Sequence, residues 1–265
     1  MKNQKSVFTI AVGMAIALLS LFFLAVVNGW FGPSTDVGGQ FCEEARAGLI
    51  KQPANTWSNF GFVFVGLLMA WQIAQGTFGQ NKNRFTQSFF TAVFFSSLVI
   101  FLGPGSMAMH ATETEIGGEL DMLSMYLVAS FAASYSLQRF YAWKNSTFAI
   151  SFVLMVLICE VVGLYHEPLP IIDYAGNAIF GFFLTVTCVF EMLNSYVRKI
   201  TLERKYGYYS LGFLLLAFFI WNIWKDTSPL CDPGSLIQGH AMWHLLDAVA
   251  AYFLFRFYAS EHSAK

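Results

Sequence analysis

The sequence predicts an all-α integral membrane protein, on the evidence of three observations. First, 56% of the 265 residues are hydrophobic and only 12% are charged, whereas soluble domains carry about 25% charged residues. Second, apolar runs of about 20 residues, long enough to cross a bilayer as a helix, recur along the chain. Third, these runs are unbroken, which does not fit the alternating strands of a membrane barrel. They place eight transmembrane helices near residues 7–29, 55–77, 86–109, 119–139, 146–165, 171–195, 207–224 and 235–257.

The basic residues predict the topology. With the N-terminus in the cytoplasm, all of the 15 lysines and arginines lie inside except Arg46, Lys51 and Lys225. The positive-inside rule therefore favours two cytoplasmic termini. The short length and basic inner loops fit a bacterial inner membrane, although an endoplasmic reticulum or Golgi protein would follow the same rule. The net charge of −1 argues against nucleic acid as a partner.

The first apolar run admits two interpretations. Lys2 and Lys5 precede it, as basic residues precede the core of a secretory signal peptide. The run is longer than a usual signal core, however, and no clear cleavage site of small residues follows it. We therefore expect a retained helix over residues 1–30, which would act as a signal anchor.

Three histidines are the strongest candidates for chemistry. His240 and His244 are four residues apart at the start of the last predicted helix, so both imidazoles project from one face. His110 ends the third predicted helix, at the same membrane depth. Three protein ligands with an open fourth position are typical of catalytic zinc. The pair alone is a weak signal, because two histidines can equally hydrogen-bond each other or nearby carbonyl groups. His262 lies in the polar tail, where we expect it to be solvated.

Two polar residues near this depth could assist a metal centre. Asp121 begins the fourth predicted helix, and a short outer loop joins it to His110. A carboxylate there could accept a proton from water. Ser106 shares a helix face with His110, where its hydroxyl could stabilise an oxyanion. The alternatives are a helix N-terminal charge for Asp121 and a small packing residue for Ser106.

Asp247 is a candidate for orienting a metal ligand. It follows His244 by three residues and His240 by seven, so the three side chains form one stripe. A carboxylate behind a metal-bound imidazole fixes the orientation of the ring. A buried acid paired with a polar side chain of another helix is the alternative.

Cys42 and Cys231 lie in the two longest outer loops, over residues 31–54 and 225–234. A disulfide between them requires that this side of the membrane is oxidising. Two unpaired surface thiols are the alternative.

Three ordered blocks of the sequence resemble the alkaline ceramidases and their bacterial relatives in the CREST superfamily of membrane hydrolases. The likeness covers roughly residues 42–258. It depends on the order of the blocks, since each block alone would be a weak match. The blocks are Cys42-Glu43-Glu44 followed by Asn55-Thr56-Trp57-Ser58-Asn59, then Gly105-Ser106 with His110 and Asp121, then Cys231 followed by Gly239-His240-Ala241-Met242-Trp243-His244.

The resemblance implies a fold and a site. It implies a seven-helix hydrolase core, here over residues 55–258, preceded by the additional first helix and the outer loop over 31–54, and followed by a cytoplasmic tail over 259–265. It also implies that the matching cysteines are bridged. Carried over to this sequence, the family's zinc ligands, catalytic acid and catalytic serine are His110, His240, His244, Asp121 and Ser106.

The sequence also departs from the family. Alkaline ceramidases hold a calcium ion with acidic and amide residues around the first block, and of these only Glu43 clearly persists here. Gln40, Ala45 and Gln52 stand where the family carries aspartate, asparagine and glutamate. The substitutions argue against a calcium site in this chain.

The function implied is hydrolysis of the N-acyl bond of ceramide or a related lipid to a fatty acid and a sphingoid base. Zinc would activate the attacking water, and the lipid would enter from the bilayer. A zinc-containing receptor related to the adiponectin receptors is the main alternative, but such a protein should present a sizeable cytoplasmic docking surface, and the inner loops here are short. A proton-relay transporter is a third hypothesis, weakened by the lack of internal repeats.

Overall fold

The computed structural model describes residues 2–78, 83–165, 167, 169–172 and 174–261. The predictions for the tail residues 262–265, including His262, concern positions outside this set. The described part of the chain is all-α, which confirms the predicted fold class. Its ten helices are α1 (Lys2–Val27), α2 (Pro53–Ser58), α3 (Phe60–Ala74), α4 (Arg84–Gln87), α5 (Phe89–Thr112), α6 (Glu115–Tyr141), α7 (Asn145–Gly163), α8 (Ala175–Tyr196), α9 (Arg204–Ile223) and α10 (Gly239–Ala259).

The long helices correspond to the predicted spans to within a few residues. In the described ranges, seven helical segments are long and apolar enough to cross a membrane: α1, α2 with α3, and α5 to α9. The eighth predicted span is α10, which has 21 residues. Because of its two histidines, Asp247 and Arg256, it has no stretch as apolar as those of the seven. Many apolar side chains on these helices are exposed, as expected for surfaces that face lipid; on α7 they include Ile150, Val153, Leu157 and Val161.

The chain forms two compact units. The first comprises the residues up to Asp121 together with Glu203–Glu261, and the second contains Met122–Leu202. In the second unit, Tyr126 and Ala129 pack against Cys159 and Phe183. The first unit contains all the candidate site residues.

In the first unit, the N-terminal helix packs against α3 and α5. Phe22 and Val26 of α1 form one buried cluster with Met107 and Ala111 of α5. These α5 residues flank His110, so α1 supports the helix that carries a candidate ligand.

The second predicted span is broken into α2 and α3 at Asn59. The side chains of Ser58 and Asn59 both donate to the carbonyl oxygen of Asn55, at 2.8 Å and 2.9 Å. The backbone N–H of Asn59 bonds instead to Thr56, at 3.3 Å. Such side-chain bonds compete with the helical ladder, and the break turns Ser58 and Asn59 toward α10.

Two glycines let α3 and α5 approach closely. A Cβ atom on Gly66 would lie 2.6 Å from Cγ1 of Ile100 and 2.9 Å from the carbonyl oxygen of Ser96. A Cβ atom on Gly103 would lie 2.6 Å from Cγ2 of Val63. Small residues at such contacts are typical of packed membrane helices. The close contact fixes the α2–α3 break beside the end of α5.

Candidate metal centre

Three buried histidines converge in the first unit. His110 lies in the last turn of α5, and His240 and His244 lie in the first two turns of α10. They are 0%, 9% and 3% exposed. One ring nitrogen from each lies within 4.8 Å of the others, and the Nε2 atoms of His110 and His240 are 3.1 Å apart. The structure thus brings together the three residues predicted as ligands, and the group could hold a metal ion.

Ser58 orients the ring of His244. Its hydroxyl oxygen lies 2.8 Å from Nδ1 of His244. Since the Ser58 hydroxyl donates its own proton to the carbonyl oxygen of Asn55, the oxygen accepts from an Nδ1–H group. Asn59 Nδ2 lies farther from the same ring atom, at 3.2 Å. His244 therefore has its lone pair on Nε2, where a metal ligand needs it.

Gln52 orients the ring of His110. Its side-chain oxygen lies 2.7 Å from Nδ1 of His110, so it accepts from an Nδ1–H group. The lone pair of His110 is then also on Nε2, which faces His240. Gln52 and Ser58 thus hold two of the three rings in the tautomer that binds a metal through Nε2.

His240 is held by stacking. Its ring lies against Phe41, with centroids 3.8 Å apart and planes 16° apart. Among the described residues, its Nδ1 has no hydrogen-bond partner. Phe41 is fixed in turn by its neighbour Cys42, which forms the predicted disulfide with Cys231 across a Cα–Cα distance of 5.5 Å. The disulfide prediction is confirmed, and the bridge anchors the outer loop against the candidate centre.

Ser106 connects Asp121 with the histidines. The Ser106 side chain is hydrogen-bonded to Asp121, and its oxygen lies 3.5 Å from Nε2 of His244. Both residues are buried, at 2% and 9% exposed. The turn between α5 and α6 brings them together: Gly117 comes so close to α5 that a Cβ atom would lie 2.7 Å from the carbonyl oxygen of Ala108. The two predicted polar residues therefore lie at the centre, with Ser106 between Asp121 and His244.

Asp247 has a different environment from the other candidates. In the described part of the chain, it makes no hydrogen bond to either histidine of α10, and its Oδ1 atom is buried without a partner. Ser58 and Gln52, which are hydrogen-bonded to two of the three rings, are residues for which sequence reasoning predicted no such contact. The only sequence signal for them was their place in or beside the first block.

Two buried acids lie near the centre, Glu43 in the outer loop and Glu113 in the short connection between α5 and α6. The carboxylate of Glu43 accepts from the N–H groups of Ala54 and Asn55, both at 2.8 Å, which caps the start of α2. Burial raises the pKa of Glu43, against the lowering effect of these bonds and of Arg46. Burial also raises the pKa of Glu113, and the charge of Asp36 raises it further.

The arrangement fits a metal ion in two respects. Three neutral imidazoles converge by ring nitrogens, and the far nitrogens of His110 and His244 each have a neutral oxygen acceptor. Such partners set the tautomer and orientation of metal-binding histidines. Three histidine ligands with room for a further ligand are typical of catalytic zinc.

Comparisons with known proteins agree with the sequence blocks. The ceramidase family model matches residues 39–264. The alkaline ceramidase of Drosophila melanogaster is 27% identical over 216 residues, which cover 77% of this chain and 69% of the fly protein. The family match includes every candidate site residue and begins after α1, and it confirms the resemblance. The chain belongs to the ceramidase family.

Proposed function

We propose that the protein is a zinc-dependent membrane amidase that hydrolyses the N-acyl bond of ceramide or a related N-acyl lipid. The observation that carries this proposal is the convergence of three buried histidines beside the Ser106–Asp121 pair. Membership of the ceramidase family supports the substrate class.

His110, His240 and His244 would hold the zinc ion through ring nitrogens. A zinc ion held there would supply Lewis-acid chemistry, lowering the pKa of a bound water toward about 7 and polarising the substrate carbonyl. Zinc is favoured over calcium or magnesium because those ions prefer oxygen ligands. Gln52 and Ser58 would keep the rings of His110 and His244 in the required tautomer.

Asp121 is proposed as the general base. Its carboxylate would take a proton from the water that attacks the amide carbonyl carbon, and it would later give that proton to the leaving nitrogen as the C–N bond breaks. The products are a fatty acid and a free amine. Ser106 would hold the ionised Asp121 in place by donating its hydroxyl proton. Once Asp121 has taken the proton of water, the same hydroxyl would be free to donate to the carbonyl oxygen instead.

The remaining proposals concern the membrane. The basic residues support cytoplasmic termini and a site toward the outer side, which fits a bacterial inner membrane. We propose that α1 is a retained helix added before a seven-helix core over residues 55–258. The lipid substrate would enter from the bilayer.

Two further proposals concern the surroundings of the metal centre. Asp247 would affect the orientation of the histidine rings of α10 from the deeper side. Gln40, Ala45 and Gln52 carry no carboxylate, so these positions do not support a calcium site.

The test is metal content and lipid hydrolysis on detergent-purified protein. We expect near-stoichiometric zinc in the wild type, and loss of both zinc and ceramide hydrolysis in His240→Ala and His244→Ala. Met242→Ala is the matched control, because Met242 lies between the two histidines but is 36% exposed. Zinc without hydrolysis of any N-acyl lipid would favour the receptor hypothesis, and a wild type without metal would refute the zinc mechanism.

A further inference from the structure

Gln52 is bound to His110 twice. Its side chain is fully buried, at 0% exposed. Its backbone N–H donates to the carbonyl oxygen of His110 at 2.9 Å, and its side-chain oxygen accepts from the ring Nδ1 at 2.7 Å. The backbone bond satisfies a carbonyl at the end of α5 that has no helical partner. The candidate ligand is therefore held at both its backbone and its ring by one residue.

The contacts of the Gln52 amide fix its orientation. The Nε2 atom donates toward three oxygen acceptors: the carbonyl oxygens of Gly38 and Glu43, at 3.0 Å and 3.1 Å, and Oε1 of Glu113, at 3.3 Å. A flipped amide would place an oxygen among three acceptors, where it could not bond. The side-chain oxygen must then face His110, which requires that the proton of His110 is on Nδ1.

The three oxygens around Nε2 resemble the ligands of a hard cation. Calcium is bound by carboxylate and backbone carbonyl oxygens, and here one carboxylate and two carbonyls meet at a single nitrogen. Because the amide is neutral and has two N–H donors, it shares its hydrogen bonds among these oxygens without adding a positive charge. A carboxylate in its place would lie next to Glu113 and two carbonyls, and would need a cation to offset the repulsion.

We propose that Gln52 is a positioning residue of the metal centre, and that its amide takes the place of a cation between the outer loop and His110. The inference rests on the proposed function for the identity of the metal. It follows that the protein keeps its outer loop and its zinc site assembled in the absence of calcium.

The experiment compares thermal unfolding of the detergent-purified protein in calcium-depleted buffer that contains no chelator and in excess calcium, together with zinc affinity. The wild type should unfold at the same temperature in both. Gln52→Glu should unfold at a lower temperature without calcium and recover in excess calcium, because the new carboxylate completes a set of oxygen ligands. Gln52→Leu should be destabilised in both, and should bind zinc about 10- to 100-fold more weakly.

Gln238→Glu is the matched control. Gln238 is also buried, at 1% exposed, and its Nε2 donates to the carbonyl oxygens of Asp232 and Ser235 at 2.9 Å and 2.8 Å. No carboxylate oxygen is among those acceptors, so calcium should not rescue this variant.

Two results would overturn the inference. A wild type that calcium stabilises would show that the amide does not replace a cation, and a Gln52→Leu variant with unchanged zinc affinity would show that Gln52 does not position His110. The calcium response requires neither zinc nor hydrolysis. The calcium response therefore still tests this inference if the wild type proves inactive or free of zinc.

Discussion

The hydroxyl oxygen of Ser58 lies 2.8 Å from Nδ1 of His244. Ser58 lies next to the break between α2 and α3, so an interruption in one helix orients a candidate metal ligand in another. The break therefore has a direct role at the candidate centre. The Ser58 hydroxyl also donates its own proton to the carbonyl oxygen of Asn55.

Ser58→Ala should weaken zinc binding by about 10- to 100-fold, the range typical of partners behind metal-bound histidines. The ring of His244 would lose the acceptor that keeps its proton on Nδ1. Zinc affinity measured by competition with a chelator checks this. Ser210→Ala is the control, because Ser210 bonds to a backbone carbonyl at 2.9 Å on α10 without touching a histidine; equal losses in both variants would contradict a specific role for Ser58.

Asp121→Asn should lower ceramide hydrolysis by about 10²- to 10⁴-fold, the contribution typical of a general base, and should leave zinc content unchanged. The amide keeps the shape of the side chain but cannot take a proton from water. Steady-state hydrolysis and metal analysis on the same sample check both parts. Glu119→Gln, on the exposed face of α6, should keep full activity.

The hydrogen bond between Ser106 and Asp121 can be tested by comparing ceramide hydrolysis in the two single variants and in the double variant. If Ser106 acts through Asp121, the fold-losses in hydrolysis rate caused by Ser106→Ala and by Asp121→Asn should not multiply in the double variant. Fully multiplicative losses would mean that Ser106 acts on the substrate independently of Asp121.

Opening the Cys42–Cys231 bridge should lower both the unfolding temperature and zinc retention. Cys42→Ser frees the loop that presses Phe41 against His240, and it removes a constraint on the unfolded chain. Thermal unfolding with metal analysis checks this. Cys188→Ser, which alters an exposed free thiol, should have no effect, and a Cys42→Ser variant that retains zinc as well as the wild type would separate the bridge from the metal centre.

Glu113 should make stability depend on pH. Burial and Asp36 raise its pKa above the ordinary value of 4.5, so the folded protein binds this proton more tightly than the unfolded chain does. The contribution of Glu113 is therefore fully present below the ordinary pKa and is lost as pH rises through the folded pKa. Glu113→Gln has no proton to lose, so its unfolding temperature should rise relative to that of the wild type between acidic and neutral pH. A difference that stays constant across this range would contradict the shift.

The sequence predicts the long helices well, because each needs only a continuous apolar run and lipid imposes the helical backbone. It also predicts the three histidines, since the spacing of His240 and His244 places them on one face and the predicted topology puts His110 at the same membrane depth. The break at Asn59 could not be predicted, because it depends on side chains that compete for one carbonyl. The partners of the rings depend on how the outer loop folds back over α5, and no periodic pattern encodes that path.

The bridge between Cys42 and Cys231 has a consequence for the synthesis of the protein. Its two cysteines are separated by 189 residues, and two of the three histidines follow the second cysteine. A nascent chain that stops before Cys231 therefore lacks both the covalent closure of the loop and two of the three candidate metal ligands. Hydrolytic capacity would arise only in the last stage of translation, so a prematurely terminated chain in the membrane could not attack lipids in an uncontrolled way.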